Sequence, residues 1–239
     1  MSQMRQLFGK GSSGGSGDEH HWLSVSDLMA GLMMVFLFIS IALMRHALLE
    51  RDRIKEVAVA YQENQVAIYD ALMGEFQDDL DAWDANVDEE TLAFTFQSPD
   101  VLFATGSVAL RPRFQDILED FFPRYLSILL EFSESINEVR IEGHTSSIWA
   151  AGSTDTEAYF NNMELSQGRT RSVLDYLYNL NHISDQKEWI KANVAAVGFS
   201  SSRVILDEEG IEDPDRSRRV TFRVITNAET QIRQILDGS

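Results

Sequence analysis

WLSVSDLMAGLMMVFLFISIALM, residues 22–44, decides the architecture of this chain. Its 23 residues hold a single charge, Asp27. At about 1.5 Å per residue, a helix of this length covers the roughly 30 Å hydrocarbon core of a bilayer. Arg45 and His46 follow at once, with no small-residue cleavage site, so the run reads as an uncleaved signal-anchor. A carboxylate inside such a run costs on the order of 2.5–3.5 kcal/mol on insertion scales. A plain anchor would use Leu; an acid points to a group that takes up and releases protons, or that pairs with a polar group on a partner helix. Asp27 shares a helical face with Ser24, Gly31, Met34 and Phe38, and Gly31 lets a neighbouring helix approach closely. Trp22 reads as an interfacial aromatic anchor, which places Asp27 about 7–8 Å deeper. Two rival readings remain: Asp27, sixth in the run, lies in the partly hydrated interface, or Ser26 and Asp27 cap a shorter helix starting at Leu28.

Outward from this run, composition bounds the rest. The 239 residues leave room for one soluble domain of ordinary size. A formal net charge of −18 argues against nucleic acid as a partner. The absence of Cys excludes a disulfide framework and any thiolate zinc site. Loop charge alone is ambiguous on orientation: Arg5 and Lys10 precede the run with Asp18 and Glu19, while Arg45, Arg51, Arg53 and Lys55 follow it. Taken literally, that bias puts the C-terminal side in the cytoplasm, weakly.

Residues 1–21 form a Gly/Ser-rich tail read as flexible, and the pair His20 and His21 reads as part of that tail rather than as a metal site. Residues 45–86 lack Pro and carry Val57, Tyr61, Ile68, Leu72, Phe76, Leu80 and Trp83 at helical spacing, which predicts a helical linker over 45–89. Its narrow apolar stripe must be covered, either by a second copy of the chain or by the soluble domain. From about residue 90 the pattern is mixed. LAFTFQ (92–97), NEVRIEG (137–143), VAAVGF (194–199) and RRVTFRVI (218–225) read as strands. Residues 111–132 and 161–180 read as helices, with Pro123 marking a kink or a break in the first and Leu165, Val173, Leu174, Leu177 and Leu180 as the apolar side of the second. The expected fold is a single N-terminal transmembrane helix, a helical linker and an α+β domain over 90–226, its helices on one face of a small mixed sheet. Residues 227–239 are left as a tail.

Four motifs in order carry a family resemblance: VLFATGSVALRP with Phe103, Gly106 and Leu110, then EGHTSS, NNMELSQGR and SRRVTF. Each is weak alone; together, over about residues 92–226, they resemble an OmpA-like peptidoglycan-binding domain. Adding the acid-bearing helix and the linker, the chain resembles MotB-type stator subunits, and among these the ZorB branch of the Zorya anti-phage defence system. The Gly/Ser head and an acidic insert set it apart from flagellar stators. The resemblance implies a homodimer inside a ring of a multi-span MotA/ZorA-like membrane subunit, with the two acids conducting ions. It also implies an inner-membrane protein with a cytoplasmic N-terminus and a periplasmic domain that grips peptidoglycan. It implies no cofactor and no metal.

In that family the ligand is the diaminopimelate part of the peptide stem, with its carboxylate and ammonium groups. Arg169 matches the motif Arg, and a guanidinium suits a carboxylate in two parallel hydrogen bonds. Asn162 can donate and accept to the peptide. Thr145 ends the strand motif. Leu165 and Ser166 are expected to begin the helix, where free backbone N–H groups favour anions, although Leu165 reads equally as core and Ser166 as a cap. After Gly143, His144 and Thr145 the family expects Asp; here stands Ser146, followed by the insert SIWAAGSTDTEAYF. Either Asp155 in the insert replaces that acid or wall affinity is weaker. One of Arg218 and Arg219 should face the ligand by alternation, with a structural ion pair as the rival role. The acidic stretch 207–215 lacks the ligand periodicity of a calcium loop and reads as a solvated turn.

Two function classes follow: a proton-driven motor subunit, with flagellar-type and TolR-like stators as variants, or a passive membrane-to-wall tether. Asp27 discriminates them. No enzymatic constellation is present in the sequence: no Cys nucleophile, no phosphate-binding Gly loop, no Ser with a His/Asp partner pattern.

Overall fold

A computed structural model describes residues 16–97 and 99–227. The chain divides into two compact units, Met1–Lys55 and Glu56–Ser239. Helix α1, Ser16–Phe76, contributes its first part to one unit and its last part to the other.

In the first unit, Val25–Lys55 is long and apolar enough to cross a membrane. Leu28, Met33, Phe38 and Met44 are exposed, the surface a lipid-facing helix presents. Because α1 starts at Ser16, Ser26 and Asp27 sit well inside a continuous helix and the backbone there needs no cap. The capping reading is therefore overturned. The Gly/Ser tail up to residue 15 lies outside the described residues, as do the side chains of His20 and His21.

In the second unit, the elements after α1 are α2 (Leu80–Trp83), β1 (Ala85–Asp88), β2 (Ala93–Phe96), α3 (Pro99–Leu102), α4 (Pro112–Glu131), β3 (Ile136–His144), α5 (Asp155–Tyr178), α6 (Lys187–Asn193), β4 (Val194–Gly198), α7 (Pro214–Ser217) and β5 (Arg219–Thr226). The five strands form one mixed sheet in the order β1-β2-β5-β3-β4, with only β3 and β4 parallel. Strand alternation explains its two faces. Phe94, Phe222 and Ile141 stand in register across β2, β5 and β3, fully buried, and meet Phe121, Phe122 and Tyr125 of α4 and Val173 and Leu177 of α5. The intervening positions are polar: Thr95 and Thr221 are 3.1 Å apart through their hydroxyls, and Arg223 Nε donates to Glu142 at 3.1 Å.

One local reading changes in three dimensions, and two that offered alternatives narrow. The helical pattern reads on to residue 86, but α1 ends at Phe76 and Asp84, in the left-handed region, turns the chain into β1. The apolar stripe is covered by the soluble domain: Ile68, Leu72 and Phe76 are buried in its core, while Val57 and Tyr61 lie outside the described side chains. Pro123 does not break its helix; α4 runs through it from Pro112 to Glu131. Arg124 next to it donates to Glu75 (2.6 Å) and Asp79 (2.9 Å) and lies over the Phe76 ring, which ties α4 to the end of α1.

Candidate functional site: a cationic cavity at the end of the sheet

Strands β3 and β4 end, and the antiparallel β5 begins, at the same edge of the sheet; His144 pairs with Arg219 there. Helix α5 can lie close above this edge because Gly143 and Gly198 are paired on adjacent strands. A Cβ at Gly143 would meet the Ser166 carbonyl at 2.8 Å, and one at Gly198 the Gln167 backbone N at 2.5 Å. Ser166 uses this proximity: its Oγ donates to the Met163 carbonyl (3.0 Å) and accepts from the Ser200 N–H (3.1 Å). Ser200 holds a positive φ of 52°, and its carbonyl accepts from the Thr145 N–H at 3.0 Å, so the strand ends and the helix form one braced unit.

A cavity of about 510 Å³ opens at this edge. It is lined by Thr145 and Ser146 from the end of β3, by Asn162, Leu165 and Arg169 from α5, and by Arg218 before β5. Phe103, Thr105 and Gly106 of the loop before α4 complete one wall; Ile148, Trp149 and Ala150 of the insert form another. Five of the residues chosen from sequence (Thr145, Asn162, Leu165, Arg169 and Arg218) thus meet in one place. Ser166 lies beneath them, wholly buried. Asp155 does not line the cavity; it is exposed in the first turn of α5.

The helix start is another correction. The insert is partly helix: α5 begins at Asp155, closed by a capping box in which the Thr154 side chain accepts from the Glu157 N–H and the Glu157 carboxylate accepts from the Thr154 N–H. Leu165 and Ser166 are therefore mid-helix and offer no free N–H groups to an anion.

Arg169 is one of the two cations that line the cavity, and it also holds the wall together. Its Nε donates to the Ser107 carbonyl (3.0 Å), its Nη2 to the Ala104 carbonyl (3.4 Å), and its guanidinium lies 4.8 Å from the Phe103 ring centre. Gly106, at φ 67°, makes the turn that aims those carbonyls. Burial, with a contribution from Arg218, pushes the Arg169 pKa down to about 10. Only the Nη1 end of its fork is without a protein partner among the described residues. Asn162 is likewise part structural: its Nδ2 donates to the carbonyls of Ser146 (3.1 Å) and Ile148 (3.3 Å), holding the start of the insert. Arg218 pairs with the exposed Asp215, and Arg219 turns away to the carbonyls of Ser217 and Arg203. Thr145 lines the cavity, while its hydroxyl is buried and has no hydrogen-bond partner among the described residues.

Behind the cavity sits a second polar cluster that sequence reasoning did not find. Glu142 is fully buried; its Oε2 lies 3.4 Å from His144 Nε2 and 3.5 Å from Arg203 Nη1. Burial pushes the Glu142 carboxyl up, but His144, Arg223 and Arg203 outweigh it and hold it below the usual carboxylate value. Burial also holds the His144 imidazole below its ordinary value. The ring stacks on Phe199, which Arg203 covers at 3.8 Å. Ile148 and Trp149 were also missed; an aromatic in an insert placed directly after the strand motif was the available signal. In 207–215 the carboxylates of Asp207 and Asp213 accept local backbone N–H groups, as a solvated turn does.

Residues 102–218 match the OmpA family, and the segment contains every residue of the cavity. Over 233 residues the chain is 56% identical to the Zorya protein ZorB of Escherichia coli, covering 98% of this chain and 99% of the relative. The chain belongs to the ZorB family. Solved structures similar to this ZorB-family chain include the cell wall anchor of the T6SS from Pseudomonas aeruginosa (24% identity, 65% of this chain and 96% of that one, TM-score 0.44). They also include a MotB-like protein from Desulfovibrio vulgaris (21%, 72% and 94%, TM-score 0.44) and the periplasmic domain of Helicobacter pylori MotB (17%, 64% and 89%, TM-score 0.43).

Proposed function

We propose that this chain is the stator-like subunit of a proton-driven inner-membrane motor that serves anti-phage defence and is anchored to peptidoglycan through the cationic cavity. In this reading residues 1–21 are cytoplasmic and residues 22–44 span the membrane. The domain lies in the periplasm, where its ligand is, since large soluble domains translocate largely regardless of loop charge. Two copies stand inside a ring of a multi-span ZorA-like or MotA-like partner, and Asp27 of each alternates between protonated and ionised forms. One charge crossing 100 mV supplies about 2.3 kcal/mol.

The observation that carries this reading is Asp27, on an uninterrupted helix whose other side chains suit lipid. A tether gains nothing from a carboxylate there. Asp27→Asn keeps the shape and removes the titration. The complex should assemble at the wild-type level and lose phage protection. Full protection by a correctly assembled Asp27→Asn complex would leave only the tether. A periplasm-dependent reporter fused after Ser239 checks the orientation; activity from a cytoplasm-dependent reporter alone refutes it together with wall anchoring.

A further inference from the structure

The cavity has a charge pattern that narrows its ligand. Two guanidiniums, Arg169 and Arg218, line it, and among the described residues no Asp or Glu does. The nearby acids are spoken for or placed elsewhere. Glu212 accepts from the N–H and hydroxyl of Ser147, Asp215 pairs with Arg218, and Asp155 lies outside the lining. Where an acid would be expected after Thr145, Ser146 is buried and its carbonyl is taken by Asn162. The insert then adds Ile148, Trp149 and Ala150, an apolar wall beside the cations.

Such a cavity suits a carboxylate: Arg169 lines it with the Nη1 end of its guanidinium unspent, and Arg218 lines it too. It does not suit an ammonium group next to that carboxylate, which would meet the unpaired guanidinium of Arg169, find no carboxylate in the lining and lose water against Ile148 and Trp149. Trp149 by itself would accept a cation on its face, but the two guanidiniums oppose this. An amide in the same place carries no charge and packs flat on an indole. Resting on the cell-wall reading above, we propose that the cavity selects stem peptides whose diaminopimelate carboxylate is free while the adjacent amine is acylated, as in a cross-linked stem. The insert wall is the specificity-determining element. The chain would thereby prefer mature, cross-linked wall to newly made strands.

The test uses the full chain in detergent and isothermal titration with two probes. They are the tripeptide L-Ala-γ-D-Glu-meso-diaminopimelate and the same peptide acetylated on the side-chain amine. The acetylated peptide should bind at least fivefold more tightly. Trp149→Ala should shrink that ratio toward one, and Ala150→Asp, which puts a carboxylate on the exposed wall, should reverse it. Equal binding, or tighter binding of the free amine, overturns the proposal. Co-sedimentation with isolated sacculi separates this failure from a wider one. If sacculi bind while neither peptide does, the selectivity is refuted and wall anchoring stands; if sacculi do not bind, both fall.

Discussion

Phe76→Ala tests whether the end of the long helix belongs to the folded domain. Phe76 is fully buried, with ring centres at 5.3 Å from both Phe94 and Phe121 and 6.0 Å from Trp83, and with the Arg124 guanidinium at 4.7 Å. Truncation removes the ring from β2, α2 and α4 at once and leaves a cavity that these elements cannot close without moving. Such a loss costs about 3–5 kcal/mol. In a folded unit of this size, each kcal/mol moves Tm by roughly 2–4 °C, so Tm should drop by about 6–20 °C. The assay is thermal unfolding of the full chain in detergent, followed by near-ultraviolet circular dichroism. Gln62→Ala, on the exposed side of the same helix, is the control and should stay within about 0.5 kcal/mol of wild type. The shift should not depend on protein concentration, because the covering surface is intramolecular. A Phe76→Ala Tm within 2 °C of wild type, or a shift that vanishes at high concentration, refutes the packing described above.

Gly198→Ala should lower stability by about 1–3 kcal/mol, because the new Cβ sits 2.5 Å from the Gln167 backbone and must displace α5. Gly74→Ala should instead raise Tm, since nothing lies within 4 Å of its Cβ and Ala is the better helix former by about 0.5–1 kcal/mol; equal Tm changes in the two variants would contradict the contact geometry. Acid should weaken the domain through His144 and Glu142, whose folded-state values both lie below their ordinary ones of 6.5 and 4.5. A depressed value gives stability that is complete above the unfolded value and is lost as pH falls through the folded one, so the His144 part fades below 6.5 and the Glu142 part below 4.5. His144→Phe keeps the stack on Phe199 and should flatten the Tm profile just below pH 6.5; a profile parallel to wild type argues against this role.

The sequence by itself determined the long N-terminal apolar helix, because 23 residues with one charge have few alternatives, and the position of the acid within it. It also determined four of the five strands and the two main helices, whose apolar periods of two and near four are local properties of the chain, while β1 (Ala85–Asp88) lies in the stretch that reads as helical linker. Thr145, Asn162, Leu165, Arg169 and Arg218 were named from motifs, and they converge on one cavity. Burial of Ile68, Leu72 and Phe76 by the domain, rather than by a second chain, could not be read from a stripe, since a stripe states only that something covers it. The start of α5 at Asp155 had a local signal, the Thr-x-x-Glu spacing of Thr154 and Glu157, which the family motif starting at Asn161 overshadowed. The split duty of Arg169, the Glu142 and His144 cluster and the apolar wall of Ile148 and Trp149 were decided by tertiary structure alone. Each joins residues far apart in the chain, and charge, burial and hydrogen-bond supply at such meeting points depend on geometry that no local pattern records.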